Sequence, residues 1–248
     1  MTRGLKLVYR KLEKNMNFMQ QRAQLLARLR AAERVAGRSA NSVQLLAVSK
    51  TQPASSVRIL AEAGQSSFGE NYLQETQEKL LLLSDLNLEW HFIGPLQSNK
   101  TRSVASIFSW VHSVDRWKVA QRLSDQRPAE LLPLNICLEV NVSGEKSKSG
   151  VTPADLMELA KAVVSLPRLR LRGLMTIPNP LPEGISELEA RAPFRILREH
   201  FETLRRQGID LDTLSMGMSD DLEAAIAEGA TMVRVGTALF GKRSEVKV

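Results

Sequence analysis

The chain is poor in cysteine, histidine and tyrosine, and each shortage narrows what it can be. One cysteine in 248 residues, Cys137, excludes a disulfide within the chain, and its place in the apolar run LNICLEVNV reads as a small buried hydrophobe rather than a nucleophile. The three histidines have no metal-ligand spacing, and His91 and His112 read as satisfied histidines of the strands that carry them. No apolar run approaches the roughly 20 residues that span a bilayer, and no small-residue cleavage site follows the N-terminus, so a cytoplasmic chain without a membrane partner is expected. There is no G-x-S-x-G nucleophile signature. The stretch Gly144-Glu145-Lys146-Ser147-Lys148-Ser149-Gly150 lacks P-loop spacing and reads as a mobile basic loop, with Lys148 either in solvent or a second amine near the mouth.

Acidic residues are scarce at one end only. Residues 1–38 hold ten Lys/Arg against Glu13 and Glu33, a net of +8, which leaves −1 for the rest of a chain of net charge +7. The basicity therefore belongs to the N-terminal segment, where Leu25, Leu26, Leu29, Ala32 and Val35 keep helical spacing. Its positive charges are expected on the solvated face of a helix packed on the body, and no nucleic-acid-binding pattern accompanies them. Residues 1–16 read as a basic extension, Met16 being an alternative start, residues 17–243 as one domain, and 244–248 as a tail.

That domain alternates between short apolar runs and helical patterns. Strands are predicted at about 43–49, 66–69, 89–93, 109–113, 134–141, 169–175, 211–216 and 231–235. Helices are predicted at about 17–37, 54–63, 71–83, 98–107, 116–126, 153–165, 187–207 and 220–228, with a long loop at Pro178-Asn179-Pro180-Leu181-Pro182. Eight strands alternating with helices and no linker-like break favour a single closed (β/α)8 barrel preceded by an N-terminal helix.

In such a barrel the residues just past each strand form one ring around one mouth. The first strand ends in LLAVSKTQ and delivers Lys50, either a solvated lysine closing a strand or a partly desolvated amine able to attack a carbonyl carbon. Two members of the ring suit a phosphate. In Ser215-Met216-Gly217-Met218-Ser219-Asp220-Asp221 a glycine turn runs into Ser219 as the N-cap of the next helix, either as plain capping or with backbone N–H groups facing a ligand. In Val235-Gly236-Thr237 a glycine permits close approach and Thr237 adds a hydroxyl. Arg234 leads out of the eighth strand, beside the loops where barrels usually bind phosphate.

A strand-end lysine, an arginine leading from the last strand and two phosphate loops together describe a pyridoxal-phosphate barrel. The segments AVSKTQP (47–53), FGENYLQE (68–75), WHFIGPLQSNK (90–100), VNVSGEKSKSG (141–150), LRGLMTIP (171–178) and SMGMSDDLEAAIAEGATMVRVGTALFG (215–241) resemble the pyridoxal phosphate homeostasis proteins, whose barrel is similar to the N-terminal domain of alanine racemase. The resemblance covers about residues 17–243, departing at the basic extension and Gly144. It implies pyridoxal 5'-phosphate held as an internal aldimine on Lys50, with Asn71 beside the ring, Met218, Ser219, Gly236 and Thr237 around the phosphate, and Arg234 facing the pyridine nitrogen.

The expected role is a non-enzymatic binder that serves vitamin B6 and amino-acid homeostasis. Pyridoxal-phosphate-dependent apo-enzymes are its candidate recipients, and no metal is expected. Alanine racemase takes a second proton carrier, a tyrosine, from an additional β domain of its partner subunit. Here the only tyrosines are Tyr9 and Tyr72, and the sequence runs about a dozen residues past its eighth strand, so a monomer is expected. The alternative is a weak amino-acid racemase using Lys50 as one base and a water or His91 as the other.

Overall fold

Eight apolar runs become eight parallel strands: β1 (Gln44–Val48), β2 (Ser67–Glu70), β3 (Glu89–Phe92), β4 (Trp110–Val114), β5 (Leu134–Glu139), β6 (Leu169–Met175), β7 (Thr213–Ser215) and β8 (Met232–Val235). They pair in sequence order, and β1 pairs with β8 to close the barrel, Leu46 standing opposite Arg234. Between and around them lie α1 (Arg3–Val35), α2 (Ala54–Glu62), α3 (Leu73–Leu82), α4 (Thr101–Ile107), α5 (Trp117–Gln126), α6 (Leu156–Val164), α7 (Glu187–Arg206), α8 (Leu222–Ala227) and α9 (Thr237–Phe240). This computed structural model describes residues 3–145, 148–179 and 184–241, with residues 3–15 as backbone only. Lys146 and Ser147, the Pro180-Leu181-Pro182 segment and the 244–248 tail lie outside the described residues.

The expected (β/α)8 barrel is the observed fold, and the strand register follows from alternation. Leu45 and Ala47 point outward into the apolar layer beneath the helices, with Phe68, Val111, Ile136 and Val233 from the other strands. The barrel interior has a separate small cluster of Trp110, Cys137 and Met175. Burial pushes the Cys137 thiol up to about 12, so it is an inert core residue. Close packing is tightest at Gly173, where a Cβ would come within 1.7 Å of the Thr213 carbonyl oxygen. Only glycine lets β6 and β7 approach there.

Helix α1 differs from expectation in extent and in the use of its charge. It runs for 33 residues from Arg3 rather than starting near 17. Phe18, Leu25 and Leu29 are buried, and Phe18 meets Phe240 edge to face at 5.8 Å. Its basic side chains are not simply a solvated face. Arg22 donates to the Gly64 carbonyl, Arg30 to that of Val43, and Arg38, just past the helix, to that of Ala230. The wholly buried Glu33 accepts from the backbone N–H groups of Asn41 and Val43, fixing the entry into β1. Among the described side chains, these arginines dock α1 on the barrel.

Candidate functional site

At the carboxyl ends of the strands, Lys50, Asn71, Met218, Ser219, Arg234, Gly236 and Thr237 line one cleft of about 270 Å³. All seven residues singled out in the sequence, scattered over nearly 190 positions, therefore share a single opening. Thr51, Ile93, Ile177 and Phe240 complete much of its wall.

Lys50 is set by what lies behind it. Strand β1 ends at Val48, and the next residue, Ser49, donates its hydroxyl to Glu70 at 2.5 Å. Lys79 from α3 reaches in to donate to the Ser49 carbonyl at 2.7 Å, to Glu70 at 2.7 Å and to Glu75 at 2.6 Å. Glu70 and Lys79 are both buried. Burial pushes the Glu70 carboxyl up, and Lys79 pulls against that shift. The chain then turns sharply at Thr51, a β-branched residue held at φ 64°. Such a conformation is costly outside glycine and concentrates where geometry is imposed by function.

Arg234 is buried among neutral oxygens. It donates to the Ser215 carbonyl at 2.6 Å, the Ser215 hydroxyl at 2.8 Å and the Thr176 carbonyl at 2.8 Å. These bonds leave two of its five N–H donors for other partners. Burial pulls its guanidinium down to about 10, opposed by Asp221, Glu139 and Cys137, so it remains a cation at neutral pH.

The loop between β7 and α8 departs from expectation. Ser219 is not the N-cap of the following helix. That position falls to Asp221, and the Ser219 hydroxyl accepts instead from the Ala238 N–H at 3.4 Å, joining the loop to α9. Sequence periodicity could not show α9, a single four-residue turn. Asp221 accepts the Met218 N–H at 2.5 Å, which directs this acid into its own loop. From outside, Arg28 of α1 donates to the Ser219 carbonyl at 2.8 Å while pairing with Glu223. Opposite, Gly236 lies so close to β1 that a Cβ would stand 3.2 Å from the Val48 carbonyl oxygen. Val48 and Gly236 both line the cleft.

A second cavity of about 310 Å³ adjoins the first, with Asn71, Ile93 and Ile177 common to both. It is lined by Glu139, Asn141 and Lys148. Lys148 is half-buried: it stands beside the mouth, as the second of its two sequence readings had it, and donates to the Ile177 carbonyl at 3.3 Å. Glu139 is pushed up to about 7 by burial and by Asp115, with Arg234 pulling the other way. The side-chain oxygens of Asn71 and Asn141 are buried and accept no hydrogen bond among the described residues. Glu139 escaped the sequence reading, although an acid inside an otherwise apolar strand was the signal available.

The histidines have the structural role expected of them. His91 and His112 are wholly buried within the barrel and bonded to each other, and neither lines the cleft, which removes His91 as a second base. Tyr72 precedes α3 with its side chain 56% exposed.

Comparison with known proteins places these features in context. The family model described as "Alanine racemase, N-terminal domain" matches residues 12–244. The "Pyridoxal phosphate homeostasis protein" of Pseudomonas aeruginosa is 62% identical over 221 residues, covering 89% of this chain and 94% of that protein. Its Escherichia coli K12 counterpart of the same name is 53% identical, covering 91% and 96%. The structure of PipY from Synechococcus elongatus PCC7942 with PLP bound is similar at a TM-score of 0.77 and 39% identity, over 90% of this chain and 100% of that one.

Proposed function

Because the chain belongs to the alanine racemase N-terminal domain family and, within it, to the pyridoxal phosphate homeostasis proteins, we propose that it binds pyridoxal 5'-phosphate in the cleft at Lys50 and serves as a carrier of that cofactor. The observation that carries this reading is the convergence of Lys50, Arg234 and both loops, 218–219 and 236–237, on one opening. The residues fit the group. A primary amine stands at a strand end, the buried acceptor of Asn71 faces no protein donor among the described residues, and Gly236 and Thr237 line the same opening.

When bound, pyridoxal phosphate supplies an aldehyde that condenses with a primary amine and a ring that can act as an electron sink. Lys50 offers the amine. Ser219, Gly236 and Thr237 would offer backbone N–H and hydroxyl donors to the phosphate, while Met218, whose N–H is given to Asp221, would only line the site. By the family resemblance Arg234 would face the ring nitrogen. A guanidinium has donors only and does not give up a proton at neutral pH, so Arg234 leaves that nitrogen unprotonated and weakens the ring as a sink. This supports holding the cofactor over turning it over. Sequestering a reactive aldehyde, and passing it to apo-enzymes in the cytoplasm as a monomer, is the role these residues serve.

The test is an absorbance spectrum of the protein mixed with pyridoxal phosphate, followed by borohydride reduction and peptide mass spectrometry, alongside Lys50→Ala. A yellow band and a pyridoxyl mass on the Lys50 peptide, both lost in the variant, are expected. Label scattered over surface lysines, unaffected by the substitution, would overturn the reading.

A second reading, a weak amino-acid racemase, is favoured by Glu139, which titrates near 7 in the adjoining cavity. Exchange of α-deuterium into alanine or serine is expected to be no faster than with free cofactor. Faster exchange that disappears in Glu139→Gln would establish the enzyme instead.

A further inference from the structure

A line of hydrogen bonds runs through the barrel from the start of β3 to Arg234. Glu89 Oε1 lies 2.7 Å from His91 Nε2, and His91 Nδ1 lies 2.9 Å from His112 Nε2. His112 Nδ1 lies 2.8 Å from Ser215 Oγ, which in turn accepts from Arg234 at 2.8 Å. His91 is also stacked on Trp110 at 5.3 Å, and Arg172 covers the same indole at 4.8 Å, so the rings are held in place.

The protons along this line can be assigned from its two ends. At the lower end, hydrogen bonds from His91 and Ser67 hold the Glu89 carboxyl below the usual range. As an ionised group it only accepts, so His91 Nε2 carries a proton. Burial keeps both histidines neutral, against Glu89, which pulls His91 upward, and with Arg234 pushing His112 further down. His91 Nδ1 is then an acceptor, His112 Nε2 must donate to it, and His112 Nδ1 must accept from Ser215. At the upper end Arg234 can only donate, so the Ser215 oxygen accepts from it while its proton points to His112. Both ends give one direction, Arg234 to Ser215 to His112 to His91 to Glu89.

We propose that Ser215, His112 and His91 are positioning residues: a one-directional hydrogen-bond relay that orients the Arg234 guanidinium in the cleft and ties it to the Glu89 carboxylate at the far end of the barrel. Among the described residues Arg234 touches only neutral acceptors, so the relay gives this buried cation an ordered dipole path to an anion. The consequence for bound pyridoxal phosphate rests on the reading of the cleft given above. The relay itself does not.

Two measurements test it. In the ligand-free full chain, nitrogen NMR of labelled histidine should show His91 and His112 both protonated at Nε2 and bare at Nδ1. A proton on Nδ1 of either would overturn the relay whether or not the protein binds the cofactor. With pyridoxal phosphate, Ser215→Ala should raise the Kd about 3- to 10-fold, the scale of one ordinary hydrogen bond, and should shift the bound absorbance band. Glu89→Gln lies outside the cleft and keeps an acceptor, so it cannot act by local packing. It should shift the band in the same direction by less, with His112→Gln between the two. Wild-type Kd and spectrum in folded Ser215→Ala and Glu89→Gln would reduce the line to core packing and overturn the proposal. Absence of cofactor binding in the wild type would instead fail the carrier reading and leave the histidine assignment to be judged alone.

Discussion

Glu139 is a side chain whose charge changes near neutrality. Burial first, and Asp115 second, push its carboxyl up to about 7 from the ordinary 4.5. Between those values the folded chain keeps a proton that the unfolded chain has lost, so this residue makes stability fall as the pH rises and leaves the full penalty above 7. Glu139→Gln should therefore be more stable than wild type at pH 8 by about 2 kcal/mol, discounted for partial exposure, with the difference shrinking towards pH 4.5. Thermal unfolding at the two pH values reads this directly. No difference at pH 8 would mean that water reaches the carboxylate. The residue types at the mouth were legible in the sequence at Lys50, Arg234 and Thr237, where chemistry follows a strand. Glu139 was not, because how far a charge is buried depends on the wall opposite it.

Among the elements, the junction of β1, β2 and α3 positions the site, and one buried ion pair holds it. Lys79 bridges the Ser49 carbonyl and the Glu70 carboxylate at 2.7 Å each. Removing one partner leaves the other charge buried and alone, so Lys79→Ala should cost about 3–5 kcal/mol. Adding Glu70→Gln should return much of that loss, because a neutral amide tolerates burial better. Denaturant melts of the two variants measure both numbers. A double variant no more stable than the single one would show that Lys79 acts through packing rather than charge. Element types were readable to within a few residues because alternation and helical spacing survive in the sequence. The four-residue α9 was not, since one turn carries no period, and Ser219 was misplaced as a cap for that reason.

At the scale of the whole molecule, α1 acts as a strap across one side of the barrel. It packs against α2, α8 and α9, and Arg28 carries it to the Ser219 carbonyl beside the cleft. The first buried side chain described in it is Phe18, and the sequence marks Met16 as an alternative start. A chain beginning at Met16 keeps Phe18, Arg22, Leu25, Arg28 and Leu29, which dock α1, and should unfold within about 2 °C of the full chain, a shift of well under 1 kcal/mol for a domain of this size. A drop of many degrees would show that residues 1–15 belong to the folded unit.

The sequence by itself determined the barrel, the ring of polar groups at its mouth and the family, because strand alternation, helical spacing and six ordered motifs are local properties that need no third dimension. Only the tertiary structure decided the docking role of the described arginines of α1, the partial burial of Glu139 and the place of Lys148 beside the mouth. It alone also revealed the line from Glu89 through His91, His112 and Ser215 to Arg234. Those five residues are spread over nearly 150 positions, and they meet because closing eight strands turns their inner faces towards one axis, where every donor must find an acceptor.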